Sequence, residues 1–478
     1  KTKGSTYVLT IHFPKVGKAF DRALSTGVFT PPDVPLGSKP FGYRTRGNPS
    51  GIEPLLEIFL YESQRGSYHL CSSIDPDEVF FMRTILYGWK DVKRMCKREV
   101  IDANIKEFFD IDRNLPERSN EYTDLLRSIA RYFVPHRYPE FTSWTQCKYT
   151  GVRERNPLGW WPKHGPGATV DTSRNRDKYF ALRNYPKSLH LYFPPSYYAS
   201  HNELGEIDVD PREIPAKLCG VRKTLDKSRI ITVEPTAKQF FQQAVRTFLL
   251  SHETKHSRRC IDITDQGKSR AAAKLASIDG KTATVDLKSA SDYLSLQTVA
   301  TIFSVNPVIL EALLATRTSE ALQPCGMPVT LKKFAGQGNA CTFIVQSIVY
   351  AVISVAAYHL EKNIKDVSSK SVSRAIRYIQ VYGDDIILPS SCMPYLSRIL
   401  QHEGLRINNL KTHSTGFFRE ACGGDFFHGY DVTPLHFPEI YISWKKRPQD
   451  EPELLQSWCE VSNNAYRKGL WACTNTIR

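Results

Sequence analysis

Apolar and polar positions recur along the chain with two different periods, and the changes of period mark its elements. Helix-type spacing, with apolar residues returning every three or four positions, runs near 76–110 and 118–134. Residues 151–235 lack that spacing, are rich in Arg, Lys, Pro and Gly, and read as strands and loops. Pro235 then opens a stretch, 236–253, that predicts a helix. Thr282–Leu287 is β-branched and apolar, runs into a polar cluster and predicts a strand. A long helix is expected over about 339–358, a hairpin around 378–388 and a further helix over about 393–403. The longest apolar stretch, Ala340–Ala357, approaches the roughly 20 residues that a bilayer requires. It contains Gln346 and Ser347 and has polar flanks, so it is read as a buried helix, with no membrane contact expected.

Length and composition narrow the class. A chain of 478 residues predicts about two to four packed units. With 41% hydrophobic and 24% charged residues it can bury a large core, and disorder is not the default reading. Residues 1–150 look mixed and carry no chemical motif. The start, KTKGSTYVLT, lacks the apolar core of a signal peptide. The 11 cysteines form no C-x-x-C pair and are odd in number, which argues against a zinc framework and a disulfide scaffold and for a reducing cytosol. The net charge of +15 points to a polyanionic partner, because Lys and Arg that neutralise phosphates release counterions.

Four segments carry candidate chemistry. In Tyr378-Ile-Gln-Val-Tyr-Gly-Asp-Asp-Ile-Ile-Leu388, two short β-type runs flank Gly383, Asp384 and Asp385. Adjacent acids at a hairpin tip repel each other unless a cation holds them. In Thr284–Asp292, Asp286 ends the expected strand and Asp292 follows in the turn or at the start of a helix. Asp286 would join Asp384 in holding two divalent ions, since two-metal phosphoryl transfer needs carboxylates from separate elements. The plainer reading of Asp292, or of Ser291, is a helix cap. Gly336–Phe343 is a glycine loop before the long helix; Asn339 there offers an amide to a sugar hydroxyl, or serves only as a cap. Last, residues 211–230 hold six cations (Arg212, Lys217, Arg222, Lys223, Lys227, Arg229) against Glu213 and Asp226. Lys227 and Arg229 alternate with Ser228 and Ile230, which aims two cations to one side of a strand, as a triphosphate channel requires.

These motifs stand in a fixed order: HGPGAT (164–169), K-T-x-x-K-x-R-x-I-x-x-E-P (223–235), IDITDQ (261–266), SIDGKTATVDLKSASDYLS (277–295), GQGNACTF (336–343), VYGDD (381–385) and INNLKTHSTGFFREACGGDFFHGYDVTP (407–434). In that order the chain resembles the RNA-dependent RNA polymerases of single-stranded RNA bacteriophages, the levivirus replicases. The last motif is the most specific. The resemblance implies an α+β fold: a right hand of fingers, palm and thumb whose palm is an antiparallel sheet packed on helices. It assigns 1–150 to an N-terminal region with part of the fingers, 151–275 to the fingers, 276–430 to the palm with a fingers excursion near 310–332, and 431–478 to a thumb that need not be complete.

The resemblance also implies site roles. Asp286, Asp384 and Asp385 would bind two Mg²⁺, with Mn²⁺ as the alternative, and Asp292 and Asn339 would recognise the incoming ribose. Lys223, Lys227 and Arg229 would contact the triphosphate, and Lys411 would protonate the leaving pyrophosphate. RNA template, RNA product and nucleoside triphosphates are the implied partners, together with host translation factors and a ribosomal protein, in the host bacterial cytoplasm. A reverse transcriptase is the nearest rival, but Asp292 and Asn339 suit a ribose rather than its exclusion. A catalytically inactive palm-type RNA-binding protein is the second, against which three intact acids argue.

Overall fold

The computed structural model describes residues 7–30, 56, 58–62, 68–90, 96–116, 121–140, 144–146, 153–172, 174, 177–179, 182, 184–198, 213–224, 226–437 and 452–477. Cys147, Arg212 and the first six residues lie outside them. The protein mixes α and β: helices predominate, and the described strands form six small sheets, each paired antiparallel.

The largest core surrounds the helix Thr342–Glu361. By length and hydropathy this helix could cross a membrane, yet 89% of its apolar window is buried inside the protein. The expectation of an interior helix holds, with the start three residues later than expected because the Gly336–Asn339 loop keeps its own turns. Against this helix packs a three-stranded sheet in the order Gln380–Tyr382, Asp385–Pro389, Thr282–Val285. The expected hairpin is thus present. The expected strand at 282–287 stops at Val285, and Leu287 continues only as an isolated bridge to Ile407. The helices expected at 236–253 and 393–403 run Thr236–Ser251 and Met393–His402. The helical pattern over 76–110 divides into Pro76–Tyr87 and Arg98–Arg113, and that near 118–134 yields Thr123–Ala130.

A second core joins the two ends of the sequence. Phe20, Leu24, Val79 and Leu86 pack with Phe418, Phe427 and Val432. Inside it Arg83 is buried and paired with two acids, 2.7 Å from Asp21 and 2.9 Å from Asp425. Tyr87 donates its hydroxyl to Asp21 at 2.7 Å. Charges in such a core persist only when each has a partner. A third, smaller core lies under the hairpin Lys217–Thr224/Lys227–Val233, where Leu218 and Ile230 meet Phe108 and Phe109 of the helix Arg98–Arg113. Every cysteine among the described residues is free.

Candidate active site

Local sequence dictates the sharp turn that presents the acids. Gly383 has φ +60, and a Cβ there would stand 2.5 Å from the Phe343 ring, so only glycine lets the hairpin lie this close to the long helix. Its N–H donates to Ser347 Oγ at 3.0 Å. Beyond the turn, Asp384 is exposed and Asp385 half-buried. Ile386 pairs with Val285 as the last pair of that ladder, so Asp385 and Asp286 each stand one residue beyond it at the same end of adjacent strands.

Polar groups from a third segment hold the acids. Asn408 Nδ2 donates to Asp286 Oδ2 at 2.6 Å, and Asn408 N–H to the Asp286 carbonyl at 2.9 Å. Asp385 Oδ2 accepts the Cys422 N–H at 3.1 Å. Lys411 Nζ stands 3.8 Å from Asp286 and 3.0 Å from Glu420. Glu420, with help from Asp286, keeps the Lys411 ammonium protonated well above its usual range, against the opposing pull of burial.

Even so, negative charge is in excess. Burial pushes Asp286 up to about 6; Lys411 resists and Asp384 adds to the push. Burial, then Asp384 and Asp286, push Asp385 up to about 7. Carboxylates that raise one another in this way are poised for a cation. The donor set is oxygen only, which suits Mg²⁺ or Mn²⁺ rather than a soft metal. Among the described residues, no three His, Cys, Asp or Glu side chains already stand in ligating geometry; Asn408, Lys411 and the Cys422 N–H occupy the carboxylates instead.

The basic hairpin rises beside the acids. Its register shifts between Arg222 and Thr224, which leaves Lys223 as the extra residue of a bulge and re-aims its side chain. Lys223 is pushed down by desolvation first, then by Arg229 and Lys411, while Asp286 acts the other way. Lys227 and Arg229 are exposed and alternate with half-buried Ser228 and Ile230, as the sequence implied. A polar cleft adjoins Lys411 and is lined by Lys18, Lys90, Arg83 and Glu420 among others. No sequence signal pointed to Lys18 or Lys90, because the helix bearing Lys18 approaches the site only through the second core.

Asp292 and Asn339 stand apart, each in a local network. The short helix Ala290–Tyr293 has Ser289 at its N-cap, with no side-chain cap bond, so neither Ser291 nor Asp292 plays the capping role. Asp292 instead pairs with Lys333 at 3.2 Å. Asn339 Oδ1 accepts the Cys341 N–H at 2.8 Å, a local turn before the long helix. The buried Tyr350 phenol donates to the Ala290 carbonyl at 2.9 Å, two residues before Asp292; burial raises it first, then Asp384. The loop that bears Asn339 lies on the basic hairpin, where the Thr232 N–H donates to the Gln337 carbonyl at 2.6 Å. Sequence reasoning assigned no role to Asn408, Glu420 or Lys333. The first two fall inside the most specific motif, which was the available signal, and Lys333 had none.

Comparison with known proteins gives the site its context. Residues 203–456 match the family described as RNA replicase, beta-chain. The RNA-directed RNA polymerase subunit beta of Escherichia virus Qbeta is 32% identical over 279 residues, covering 57% of this chain and 42% of that protein. The beta chains of Enterobacteria phage GA and Escherichia phage MS2 are 33% and 31% identical over 219 and 204 residues, or 46% and 42% of this chain and 38% and 34% of theirs. In each pairing the matched stretch is less than half of the relative's own length. The family match takes in more than half of the chain and contains Asp286, Asp384, Asp385 and Lys411, and on that basis the chain belongs to the RNA replicase beta-chain family.

Proposed function

We propose that this chain is the catalytic part of an RNA-directed RNA polymerase that copies phage RNA from nucleoside triphosphates in the host bacterial cytoplasm. The observation that carries the reading is the convergence of Asp286, Asp384 and Asp385 at the ends of two paired strands, with Asp286 and Asp385 each raised by burial and further by Asp384. The relatives' names support the substrates: they are RNA-directed RNA polymerases. Some are also named as subunits, which supports assembly with further proteins, host translation factors and a ribosomal protein being the expected class.

In this reading the three-stranded sheet with its helices is the palm (276–430, with a fingers excursion near 310–332). Residues 151–275 are fingers, 1–150 an N-terminal region with part of the fingers, and 431–478 belong to the thumb. Asp286, Asp384 and Asp385 would hold two Mg²⁺ or Mn²⁺, which supply a lowered pKa for the attacking 3′ hydroxyl and charge stabilisation for the leaving pyrophosphate. The protein's own groups do the rest. Lys223, Lys227 and Arg229 on the bulged hairpin bind and orient the triphosphate. Asn408 fixes the Asp286 carboxylate, and Lys411 carries a proton at Nζ towards the side on which pyrophosphate forms. Asp292 and Asn339 contact the ribose.

Replacement of a ligand tests the assignment. Asp384→Asn removes charge at an exposed hairpin tip, so the fold and RNA binding should persist while ribonucleotide incorporation on an RNA template with Mg²⁺ disappears. Loss of a charged ligand costs several kcal/mol of transition-state stabilisation. A variant that keeps more than about a tenth of the wild-type rate would sink the assignment.

A further inference from the structure

Lys333 is a long cationic side chain with no accessible surface, and burying an ammonium is costly unless its surroundings are built for it. Here they are. Its Nζ donates to the Phe108 carbonyl at 3.0 Å and lies 3.4 Å from the centroid of the Phe108 ring. The remaining partner is Asp292 Oδ1 at 3.2 Å.

The backbone around Lys333 is clamped from both sides. Asp112 accepts the N–H groups of Lys332 and Lys333 at 3.1 and 2.9 Å. Arg317 donates to the carbonyls of Leu331, Lys333 and Phe334 at 3.0–3.2 Å. Phe108 and Asp112 both belong to the helix Arg98–Arg113, from the N-terminal stretch that showed no motif. A flexible four-carbon stem is thereby fixed in one place, and its charge is spent on one oxygen of Asp292.

We infer that Lys333, held by Phe108 and Asp112, is a positioning residue for sugar selection: it fixes the Asp292 carboxylate so that its second oxygen is presented to the 2′ hydroxyl of an incoming ribonucleotide. The inference rests on the proposed reading of Asp292 as the ribose contact. A fixed acceptor that must pair with a hydroxyl rejects the analogue that lacks it, because the acceptor is then left unpaired. A carboxylate free to swing would find water instead and lose that discrimination.

The test compares kcat/KM for a ribonucleoside and the matching 2′-deoxyribonucleoside triphosphate in the full chain. Wild type, Lys333→Met, Asp292→Asn and the double variant are measured. Lys333→Met should lower the ribo-to-deoxy ratio at least tenfold, chiefly through a higher KM for the ribonucleotide, and should add nothing further in the Asp292→Asn background. An unchanged ratio in Lys333→Met, or effects of the two substitutions that simply multiply, overturns the inference. If Lys333→Met does not fold, Phe108→Leu keeps the apolar volume and removes the ring that steadies the ammonium; a lowered ratio then supports the inference and an unchanged one overturns it. Asp292→Asn with an unaltered ratio refutes the ribose contact itself, a result distinct from failure of Lys333 alone.

Discussion

His413 offers a measurable link between the N-terminal helix and the segment that carries Lys411. Its ring is buried, Nδ1 is hydrogen-bonded to the Ser25 hydroxyl, and Nε2 is buried without a partner. Its backbone pairs with Thr284, two residues before Asp286. Protonation would create a second ring donor where no acceptor waits, and burial accordingly lowers the ring from 6.5 to about 4. An unfolded chain takes up that proton near 6.5, whereas the folded protein stays neutral down to about 4. The contribution to stability is therefore complete above pH 6.5 and is lost as pH falls towards 4. Between pH 7.5 and 5 the loss is about 2 kcal/mol, or about thirtyfold in an opening equilibrium. Amide hydrogen exchange of residues 282–287 and 411–415, corrected for intrinsic rates, would report it locally. His413→Gln keeps a polar partner for Ser25 but does not titrate, so its protection should lack this acid loss. Equal acid sensitivity in wild type and His413→Gln would refute the reasoning.

Three other substitutions probe separate parts of the architecture. Neutralising Lys227 and Arg229 together should raise KM for nucleoside triphosphates and leave template affinity nearly unchanged; steady-state kinetics with filter binding would expose the opposite pattern, which would move these cations to the template path. Gly338→Ala would place a Cβ 2.0 Å from the Thr232 carbonyl oxygen at φ +132, so the Asn339 loop must shift. Strain of this kind costs about 1–3 kcal/mol, and a variant with wild-type melting temperature and turnover would contradict it. Arg83→Met strands Asp21 and Asp425 in the second core, for an expected loss of about 3–5 kcal/mol; an unchanged urea midpoint would show that the pair is not essential to that core.

Legibility in the sequence followed the reach of each interaction. The hairpin, the long apolar helix and the helix after Pro235 were readable because period, glycine placement and proline act within a few residues. The acids were readable for the same reason: Gly383 and Asp384 are adjacent, and the turn needs only local geometry. The strand at 282 came out shorter than expected because its end is set by the partner strand, which offers Val285 a pair and Asp286 none. The capping reading of Asp292 failed to a residue 41 positions away, Lys333, whose burial depends on a helix still further off. Glu420 lay in a recognised motif, yet its closeness to Lys411 comes from the strand Phe418–Ala421 folding back beside the 408–412 segment. Lys18 was invisible, since only the second core brings its helix to the cleft.

The pairing of Arg83 with Asp425 spans 342 positions along the chain. During synthesis, at roughly 5–20 residues per second, Asp425 follows Arg83 out of the ribosome about 17–70 seconds later. Until then the strand Gly424–Phe427 is incomplete, and one face of the helix Pro76–Tyr87 lacks the Phe427 and Val432 that cover it. Contacts of such separation are slow to form, because loop closure must precede any gain from them. The acidic cluster around Asp286 and the buried lock that backs it are therefore late properties of the nascent chain, complete only after residue 425 has emerged.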